Sequence, residues 1–368
     1  MADRRPVVAL AFNQTVFDEI EEEHLARLRD IAEVRQGLFE LPSSWDAPPP
    51  PDAASEDRLV ELVRGAEALV VGHGAPRITA AVMERCPSLR LIGELEGDRF
   101  AQRIEVEAAW QRGIRTVDTT NGTSYSVSEW ALALALIGLR SAGALFRQLI
   151  LERRESFPPE YLQDRGYRSG ELSGKTVGLI GCGIIGRRLL ELLEPFGCTV
   201  YVHDPYVPRE LADVYGFTST GLDNVLTLAE VLFCLAPLTP ATRGMLGARE
   251  LGLMQDDAVL VNVARGAIVQ TEALIAELRS GRIGACLDVF EPEPIPADSP
   301  VRDLPNVFIT PHIAGVTLAS RQRLFSLMVD ELERFMAGHE TRYDLSPRTI
   351  ANRSGQAPPG GTDSSGPV

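Results

Sequence analysis

The segment that most constrains the fold of this chain is a glycine-rich turn between a predicted strand and a predicted helix. Residues 181–186 read Gly-Cys-Gly-Ile-Ile-Gly, after an apolar run at 177–180 and before a helical pattern at 187–196. A G-x-G-x-x-G turn in this setting allows a tight bend, a close approach of backbone to a pyrophosphate, and close helix–strand contact. The helix N-terminus adds unpaired N–H groups and a positive dipole. The turn therefore predicts a parallel α/β domain that binds a dinucleotide.

An acidic residue after the next predicted strand indicates which dinucleotide is bound. The strand at residues 199–203 ends in Asp204, eighteen residues beyond Gly186. A carboxylate there accepts hydrogen bonds from the adenosine ribose hydroxyls and repels a 2′-phosphate. Because no Arg follows immediately, the sequence favours NAD over NADP. The alternative is a glycine-rich turn whose strand-end Asp only caps the local backbone.

Strand-like runs alternate with helical patterns along the chain, which indicates α/β architecture. The length of 368 residues allows two or three domains. One set of strands is expected at residues 7–12, 68–71, 89–93 and 113–117. A long helix over about residues 126–151 leads to a second set, at residues 176–180, 199–203, 231–235, 258–263, 285–289 and 306–309. These runs are apolar on both faces, as in parallel sheets covered by helices, so two doubly wound domains are expected.

Charge and composition exclude several classes of function. The net charge of −15 gives no general attraction to nucleic acid or to anionic lipid. The five cysteines are scattered and never in C-x-x-C spacing, which argues against a zinc site or a disulfide framework. The charged start of the chain does not have the layout of a signal peptide, and a reduced, cytoplasmic protein is expected. The chain contains a single Lys and five His, so few residues are available for acid–base chemistry near neutral pH.

Three kinds of polar side chain that suit the reduction of a 2-keto acid follow strands of the second set: one Arg, one or two Glu and one His. Arg265 follows the run 260–264, Glu291 and Glu293 follow 285–290, and His312 follows 306–311. A guanidinium can bind the substrate carboxylate in a planar fork and polarise its carbonyl. An imidazolium can donate a proton as hydride arrives, and a carboxylate paired with it fixes its orientation. The alternatives are a structural ion pair for Arg265, a loop carboxylate for either Glu, and a packed core imidazole for His312.

The order and wording of these motifs resemble the D-isomer-specific 2-hydroxyacid dehydrogenase family, from about residue 78 to residue 338 and most strongly over 172–315. By this resemblance Arg265 matches the substrate-binding Arg, Glu293 the His-paired Glu, and His312 the acid/base. Glu293 is preferred to Glu291 because the family's Glu directly precedes Pro, five residues after Asp288. The implied reaction is reversible hydride transfer between NAD(H) and a small 2-hydroxy or 2-keto acid.

The resemblance also implies a set of contacts with the cofactor. They fall on the glycine turn, on Asp204 and on positions after several strands: Gly181, Gly183, Ile184, Ile185, Gly186, Asp204, Thr119, Ala236, Val263, Asp288 and Gly315. Asp288 is expected to contact the nicotinamide carboxamide, with a strand-end cap as its alternative role. A homodimer formed through the NAD domain is implied as well, with residues 139–169 as an arm.

The chain departs from the family in the loop that cradles the substrate carboxylate. The family reads Gly-x-Gly-x-Asp-Asn-Ile there, whereas residues 94–104 read Glu-Leu-Glu-Gly-Asp-Arg-Phe-Ala-Gln-Arg-Ile, with Gly97 as the remaining glycine. Arg99 or Arg103 could bind a second anionic group, such as a phosphate or phosphonate, or could be solvated. His73, at the end of a strand in the first set, is a further candidate substrate contact. The identity of the substrate therefore stays open.

The predicted organisation follows from the strand order and the resemblance. Residues 1–119 and 316–345 form a flavodoxin-like substrate domain, residues 120–315 form a Rossmann NAD domain, and residues 346–368 form a disordered tail rich in Pro, Gly and Ser. The active site is expected in the cleft between the domains, with a hinge near Thr119 and Gly315. Two alternative functions remain: an NAD-sensing binding protein or corepressor of the same fold, and a dehydrogenase of another small anion such as formate or phosphite.

Overall fold

The computed structural model describes residues 5–42, 47–96, 100–159, 161–163 and 167–354. By its internal contacts the chain divides into two compact units. Unit 1 comprises Met1–Thr123 and Thr317–Ile350, and unit 2 comprises Ser124–Val316 and Ala351–Val368. The boundaries fall at Thr123 and Val316, compared with the predicted 119 and 315. The first lies later because the turn Thr120–Thr123 contacts the returning segment of unit 1, where Arg323 donates to the carbonyl oxygen of Gly122 at 2.8 Å.

Unit 1 is built on a five-stranded parallel sheet of order β2-β1-β3-β4-β5. Its strands are β1 (Val7–Phe12), β2 (Glu33–Leu38), β3 (Ala68–Val71), β4 (Leu91–Glu94) and β5 (Arg115–Asp118). Its helices are α1 (Gln14–Glu19), α2 (Glu22–Ile31), α3 (Ala53–Val63), α4 (Ala80–Glu84), α5 (Phe100–Arg103), α6 (Val106–Gln111) and, after unit 2, α14 (Leu318–Met336). This strand order is the flavodoxin-like one.

Both faces of the unit 1 sheet are covered by apolar side chains, as its strand sequences predict. All six residues of β1 are buried, because alternate residues enter cores on opposite faces. Helix α14 supplies much of one core and lies close to β4. A Cβ on Gly93 would lie 2.4 Å from the sulfur of Met328, so this glycine permits the close approach.

Unit 2 contains a seven-stranded parallel sheet of order β12-β11-β10-β9-β6-β7-β8, the doubly wound order of dinucleotide-binding folds. Its strands are β6 (Thr176–Ile180), β7 (Thr199–His203), β8 (Thr218–Ser219), β9 (Val231–Cys234), β10 (Val259–Asn262), β11 (Gly284–Leu287) and β12 (Val307–Ile309). Its helices are α7 (Ser124–Leu139), α8 (Ala142–Leu151), α9 (Ile184–Leu193), α10 (Arg209–Tyr215), α11 (Leu222–Leu228), α12 (Ala248–Leu253) and α13 (Thr271–Arg279). The two sheets confirm the predicted fold class.

Several elements differ from the expectations drawn from the sequence. Strand β2 was not predicted, because it is a half-exposed edge strand with charged residues in place of an apolar run. The single helix expected over 126–151 is two helices, since Ser141 adopts a left-handed backbone with φ of 46°. Residues 347–354, expected to be disordered, form helix α15 (Pro347–Ser354), whose first turn is capped by Ser346 through the N–H of Thr349. The rest of the expected tail lies outside the described residues.

Within the described part of the chain, no single helix has the length and apolar composition needed to cross a membrane. The segments Thr120–Leu139 and Ala142–Leu151 meet those two criteria only as a pair, and the pair is bent by 70°.

Candidate active site

The glycine turn predicted from the sequence connects β6 to α9 and leaves the start of that helix uncovered. Gly181 has a φ of 92°, and a Cβ there would lie 2.7 Å from the backbone nitrogen of Ala236. A Cβ on Gly186 would lie 3.0 Å from the Gly181 carbonyl oxygen, so this glycine allows helix and turn to touch. By contrast, a Cβ on Gly183 would meet no atom within 4 Å. The turn therefore has the close backbone packing and the open helix N-terminus that a pyrophosphate needs.

Asp204 lies directly against this turn. Its Oδ2 accepts a hydrogen bond from the backbone N–H of Cys182 at 2.7 Å, and its Oδ1 accepts one from Tyr206 at 2.8 Å. Burial raises the pKa of the Cys182 thiol to about 11, and the negative charge of Asp204 contributes to this. Because each carboxylate oxygen has a second lone pair, Asp204 retains acceptor capacity for ribose hydroxyls.

The other predicted cofactor contacts in unit 2 follow the carboxyl ends of neighbouring strands, where ligands of α/β sheets bind. Ile184 and Ile185 open α9, and the remaining positions come after β9, β10, β11 and β12: Ala236, Val263, Asp288 and Gly315. Thr119 belongs to unit 1, where it is buried and its hydroxyl donates to the carbonyl oxygen of Glu94 at 3.4 Å. The predicted contacts of these residues with the cofactor stay predictions.

Arg265 follows β10 in a turn that Asn262 stabilises from both sides. The Asn262 side-chain amide donates to the Arg265 carbonyl oxygen at 3.1 Å, and its Oδ1 accepts from the N–H of Ala264 at 3.1 Å. The next residue, Gly266, packs directly on the backbone of Phe290, where a Cβ would lie 1.9 Å from the carbonyl carbon. The turn that presents Arg265 is thus packed against the loop that carries Glu293.

Asp288 organises the segment around His312. Its side chain is buried and accepts hydrogen bonds from Thr310 Oγ1 at 2.5 Å and from the N–H groups of Ile313 and Ala314, each at 2.9 Å. Its backbone carbonyl accepts from the N–H of His312, also at 2.9 Å. The described geometry thus gives Asp288 a role in fixing the segment around His312, which corresponds to the strand-end cap named as its alternative role. Its expected contact with the nicotinamide carboxamide stays a prediction.

His312 and Glu293 form the pair predicted from the sequence. His312 Nδ1 lies 2.5 Å from Glu293 Oε1, and Glu293 Oε2 accepts from the N–H of Phe290 at 3.4 Å. Burial raises the pKa of Glu293, but the hydrogen bond and charge of His312, with the charge of Arg265, outweigh burial and hold that pKa below its ordinary value. Glu293 is therefore an ionised carboxylate in contact with the ring of His312. By contrast, Glu291, the alternative carboxylate, is exposed.

In unit 1, two candidate substrate residues share one carboxylate. His73 Nδ1 contacts Glu96 Oε1, and Arg103 Nε donates to Glu96 Oε2 at 2.6 Å. Arg103 is only 2% exposed, and it also donates to the carbonyl oxygen of Ala75 at 3.0 Å. The guanidinium of Arg103 is therefore buried and engaged by Glu96, and its suggested role in binding a second anion stays a prediction. The other two candidates of this loop, Gly97 and Arg99, lie outside the described residues.

Several residues of the site were missed by the sequence reasoning. Asn262 and Thr310 lie close in sequence to residues that were predicted for the site. Their side chains fix the local backbone and loop through hydrogen bonds, and no sequence motif predicts that role. Glu94 and Glu96 were noted only as a departure from the family's loop. Their importance comes from contacts that the sequence does not show: Glu96 contacts His73 and Arg103, and Glu94 Oε1 accepts from the N–H of Glu96.

Comparison with known proteins agrees with these features. The family model "D-isomer specific 2-hydroxyacid dehydrogenase, NAD binding domain" matches residues 135–314. A D-3-phosphoglycerate dehydrogenase of Methanocaldococcus jannaschii is 32% identical over 286 residues, which are 77% of this chain and 52% of that protein. A glyoxylate reductase of Aeropyrum pernix is 32% identical over 304 residues, which are 80% of this chain and 86% of that protein.

A solved structure agrees as well. The TT0316 protein of Thermus thermophilus is 31% identical, with a TM-score of 0.70 over 92% of this chain and 100% of that one. This chain spans about half the length of the phosphoglycerate dehydrogenases that it matches. Together with the glycine turn, Asp204 and the His312–Glu293 pair, these similarities show that the chain belongs to the D-isomer specific 2-hydroxyacid dehydrogenase family, with NAD as its cofactor.

Proposed function

We propose that the protein transfers hydride between NAD(H) and a small 2-hydroxy or 2-keto acid. The observation that carries this proposal is the 2.5 Å contact between His312 and an ionised Glu293. This pair sits on loops at the carboxyl edge of the same sheet that carries the glycine turn. Proton transfer at the substrate oxygen needs such a group close to the position at which hydride is exchanged.

In the proposed reaction Arg265 binds the substrate carboxylate and polarises the adjacent carbonyl. Its guanidinium suits this role because it can form two parallel hydrogen bonds to a carboxylate. Bound NADH supplies the hydride in the direction of reduction. His312 donates its proton to the carbonyl oxygen that becomes the hydroxyl, and in the oxidation direction it accepts that proton. Glu293 keeps the ring of His312 oriented and favours its protonated form.

Helix α8 supports a homodimer as the assembled form. Apolar side chains on α8 and on the segment after it are between 47% and 75% exposed: Phe146, Leu149, Ile150, Leu151, Phe157 and Leu162. Large apolar side chains that are this exposed in one segment of the chain are typical of a protein interface. We infer that a second copy of the chain covers these residues, which fall within the arm expected over 139–169.

The substitution His312→Asn tests the proposed reaction. Asn keeps a polar side chain but cannot exchange a proton near neutral pH, so kcat should fall by about 10²–10⁴-fold. The dissociation constant of NADH, measured by the quenching of protein fluorescence, should stay within about twofold, since it reports on the glycine turn. His339→Asn, at an exposed position after α14, is the matched control and should retain full activity. Unchanged turnover in His312→Asn would reject the assignment.

A panel of substrates separates the enzyme from an NAD-sensing binding protein of the same fold. NADH oxidation is followed with glyoxylate, pyruvate, hydroxypyruvate and phosphorylated or phosphonylated keto acids, and NAD reduction with formate and phosphite. Turnover of a keto acid supports the proposal. Tight NADH binding with no turnover of any compound supports the sensor, and turnover restricted to formate or phosphite supports a dehydrogenase of another small anion.

A further inference from the structure

A chain of hydrogen bonds connects helix α7 to the segment that carries His312. Trp130, on α7, donates its indole N–H to Thr310 Oγ1 at 3.3 Å. Thr310 Oγ1 in turn donates to Asp288 Oδ1 at 2.5 Å. All of these residues belong to unit 2, and the indole ring packs against one of its apolar cores. The proposed hydride transfer uses neither Trp130 nor Thr310 directly.

The chemistry of these groups gives the chain of hydrogen bonds a single direction. An indole N–H can only donate, so Thr310 Oγ1 accepts from Trp130. A hydroxyl group carries one hydrogen, and that of Thr310 is then directed to Asp288, which has no exposed surface. Without a donor on its oxygen, a hydroxyl rotates to suit other partners. Trp130 therefore holds the Thr310 hydroxyl in the orientation that bonds Asp288.

Asp288 accepts from the backbone N–H groups of three consecutive residues. Its carbonyl oxygen accepts from His312, its Oδ1 from Ile313 and its Oδ2 from Ala314, each at 2.9 Å. The residue before them is Pro311, which has no N–H. The backbone at His312 has a φ of 55°, an uncommon conformation that its surroundings maintain. A rotation of the Asp288 side chain would therefore release the two residues that follow His312.

We propose that Trp130 and Thr310 are positioning residues for the acid/base His312. This inference rests on the proposed function, because it concerns the proton transfer of that reaction. Thr310 fixes the carboxylate of Asp288, and Asp288 fixes the segment on which the ring of His312 meets Glu293. Misplacement of a reacting group by about 1 Å can lower a rate by about 100-fold, so contacts at this distance from the chemistry affect kcat.

The substitution Thr310→Val keeps the shape of the side chain and removes its hydroxyl. With the keto acid that the natural protein turns over fastest, kcat should fall by about tenfold. Thr310→Ser restores the hydroxyl and should return kcat to within about threefold of the natural value. Trp130→Phe removes the indole N–H and keeps an aromatic ring. It should lower kcat by only about threefold, since the Thr310 hydroxyl retains its acceptor.

Unit 1 contains a matched pair with the same chemistry. Trp110, on α6, donates its indole N–H to Thr116 Oγ1, on β5, at 3.2 Å. Trp110→Phe and Thr116→Val remove the same two groups at a position that the proposed reaction does not use. Each should lower the thermal midpoint measured by calorimetry but leave kcat within about twofold of the natural value. This pair separates an effect on positioning from an effect on stability alone.

A double substitution gives a measurement that a purely structural role would not change. If Thr310 acts through the position of the His312 ring, its hydroxyl has no further effect on kcat once that ring is absent. Thr310→Val in the His312→Asn background should therefore leave the residual kcat within about twofold of that of His312→Asn alone. If Thr310→Val does not fold, as judged by circular dichroism, Trp130→Phe takes its place in this comparison, with the threefold loss expected only beside an intact His312.

The outcomes separate the two proposals. This inference is overturned, and the proposed function stands, if Thr310→Val retains the natural kcat or if Thr310→Ser fails to recover it. The same holds if the loss caused by Thr310→Val persists in full in the His312→Asn background, because the hydroxyl then acts by another route. Absence of turnover by the natural protein with every compound of the substrate panel rejects the proposed function, and this inference with it.

Discussion

His312 owes its orientation to two separate groups. The carboxylate of Glu293 holds the ring through Nδ1, and the carbonyl oxygen of Asp288 holds the backbone N–H. The backbone at His312 is in the left-handed region, with φ of 55°, so an uncommon conformation is maintained by its surroundings. Both the ring and the backbone of His312 are therefore fixed by neighbouring groups. Glu293 acts on His312 through its side-chain carboxylate, whereas Asp288 acts on it through its main-chain carbonyl oxygen.

The substitution Glu293→Gln should lower kcat by about 100-fold or more with little change in NADH affinity. Gln cannot stabilise the imidazolium form of His312, because it carries no negative charge. The pKa of Glu293 lies below its ordinary value, so this interaction is present at pH values above about 4.5 and is lost only as the pH falls through the lowered pKa. Steady-state kinetics at pH 6–8 measures the effect. The matched control is Glu291→Gln in the same loop, and equal losses in both variants would contradict the assignment of Glu293.

The buried carboxyl of Glu94 gives a prediction about stability and pH. Because its pKa is raised in the folded state, its contribution to stability is complete below the ordinary value of 4.5 and is lost as the pH rises through the raised pKa. Glu94→Gln does not suffer this loss. The difference in thermal midpoint between Glu94→Gln and the natural protein should therefore grow in favour of the variant between pH 5 and pH 8. Circular dichroism measures it, with Glu107→Gln as reference, and a difference independent of pH would contradict the burial of an ionisable Glu94.

Contacts between individual residues could be predicted where a sequence motif indicates them and not where burial decides them. Arg265, Glu293 and His312 were assigned from order and neighbouring residues, and the structure brings Glu293 and His312 into contact. Arg103 has the same charge as a phosphate-binding Arg, and only the fold shows that Glu96 engages it. The sequence gives no local signal for this pairing. Glu96 and Arg103 are seven residues apart, and no periodic pattern of apolar residues predicts that their side chains meet.

At the scale of elements, six of the seven strands of the unit 2 sheet were predicted within two residues, because they are short apolar runs bounded by polar or turn residues. Strand β8 was missed because it is only two residues long and both residues are exposed. The break between α7 and α8 was missed because the apolar pattern continues across it. That break depends on Ser141, whose hydroxyl accepts from the N–H of Arg168, a contact between residues far apart in sequence.

Two glycines of the β6–α9 turn should respond differently to substitution by Ala. Gly181→Ala places a Cβ 2.7 Å from the nitrogen of Ala236 at a φ of 92°, so both packing and backbone are strained and the thermal midpoint should fall by several degrees. Gly183→Ala introduces no contact within 4 Å and should leave the midpoint unchanged. Its methyl group lies at the helix N-terminus, where it should weaken NADH binding about tenfold or more. Calorimetry and fluorescence quenching separate the two effects, and a loss of stability in Gly183→Ala would contradict this division.

At the scale of the whole molecule, the structure groups the segment Thr317–Ile350 with the first unit. Helix α14 completes the core of unit 1 through Leu324, Phe325 and Met328, although unit 2 separates it from the strands of that core. Local patterns alone predict the helix, but they do not predict which sheet it covers. The assignment of this segment to the first domain came from the family resemblance. Periodicity does not show which separated segments belong to one discontinuous domain.

The exposed apolar side chains of α8 lead to the last prediction, which concerns assembly. The natural protein should sediment with twice the mass of one chain, 40.1 kDa, because a second copy removes these side chains from water. The double substitution Phe146→Asp and Ile150→Asp places two negative charges one helical turn apart on the proposed interface and should produce a species of single-chain mass. Val214→Asp on α10 is the matched control: this side chain is 73% exposed and lies outside the arm, so its variant should remain a dimer. Sedimentation equilibrium at micromolar concentration measures all three. A natural protein of single-chain mass would contradict the homodimer, whereas a double variant that still dimerises would show that the interface lies elsewhere.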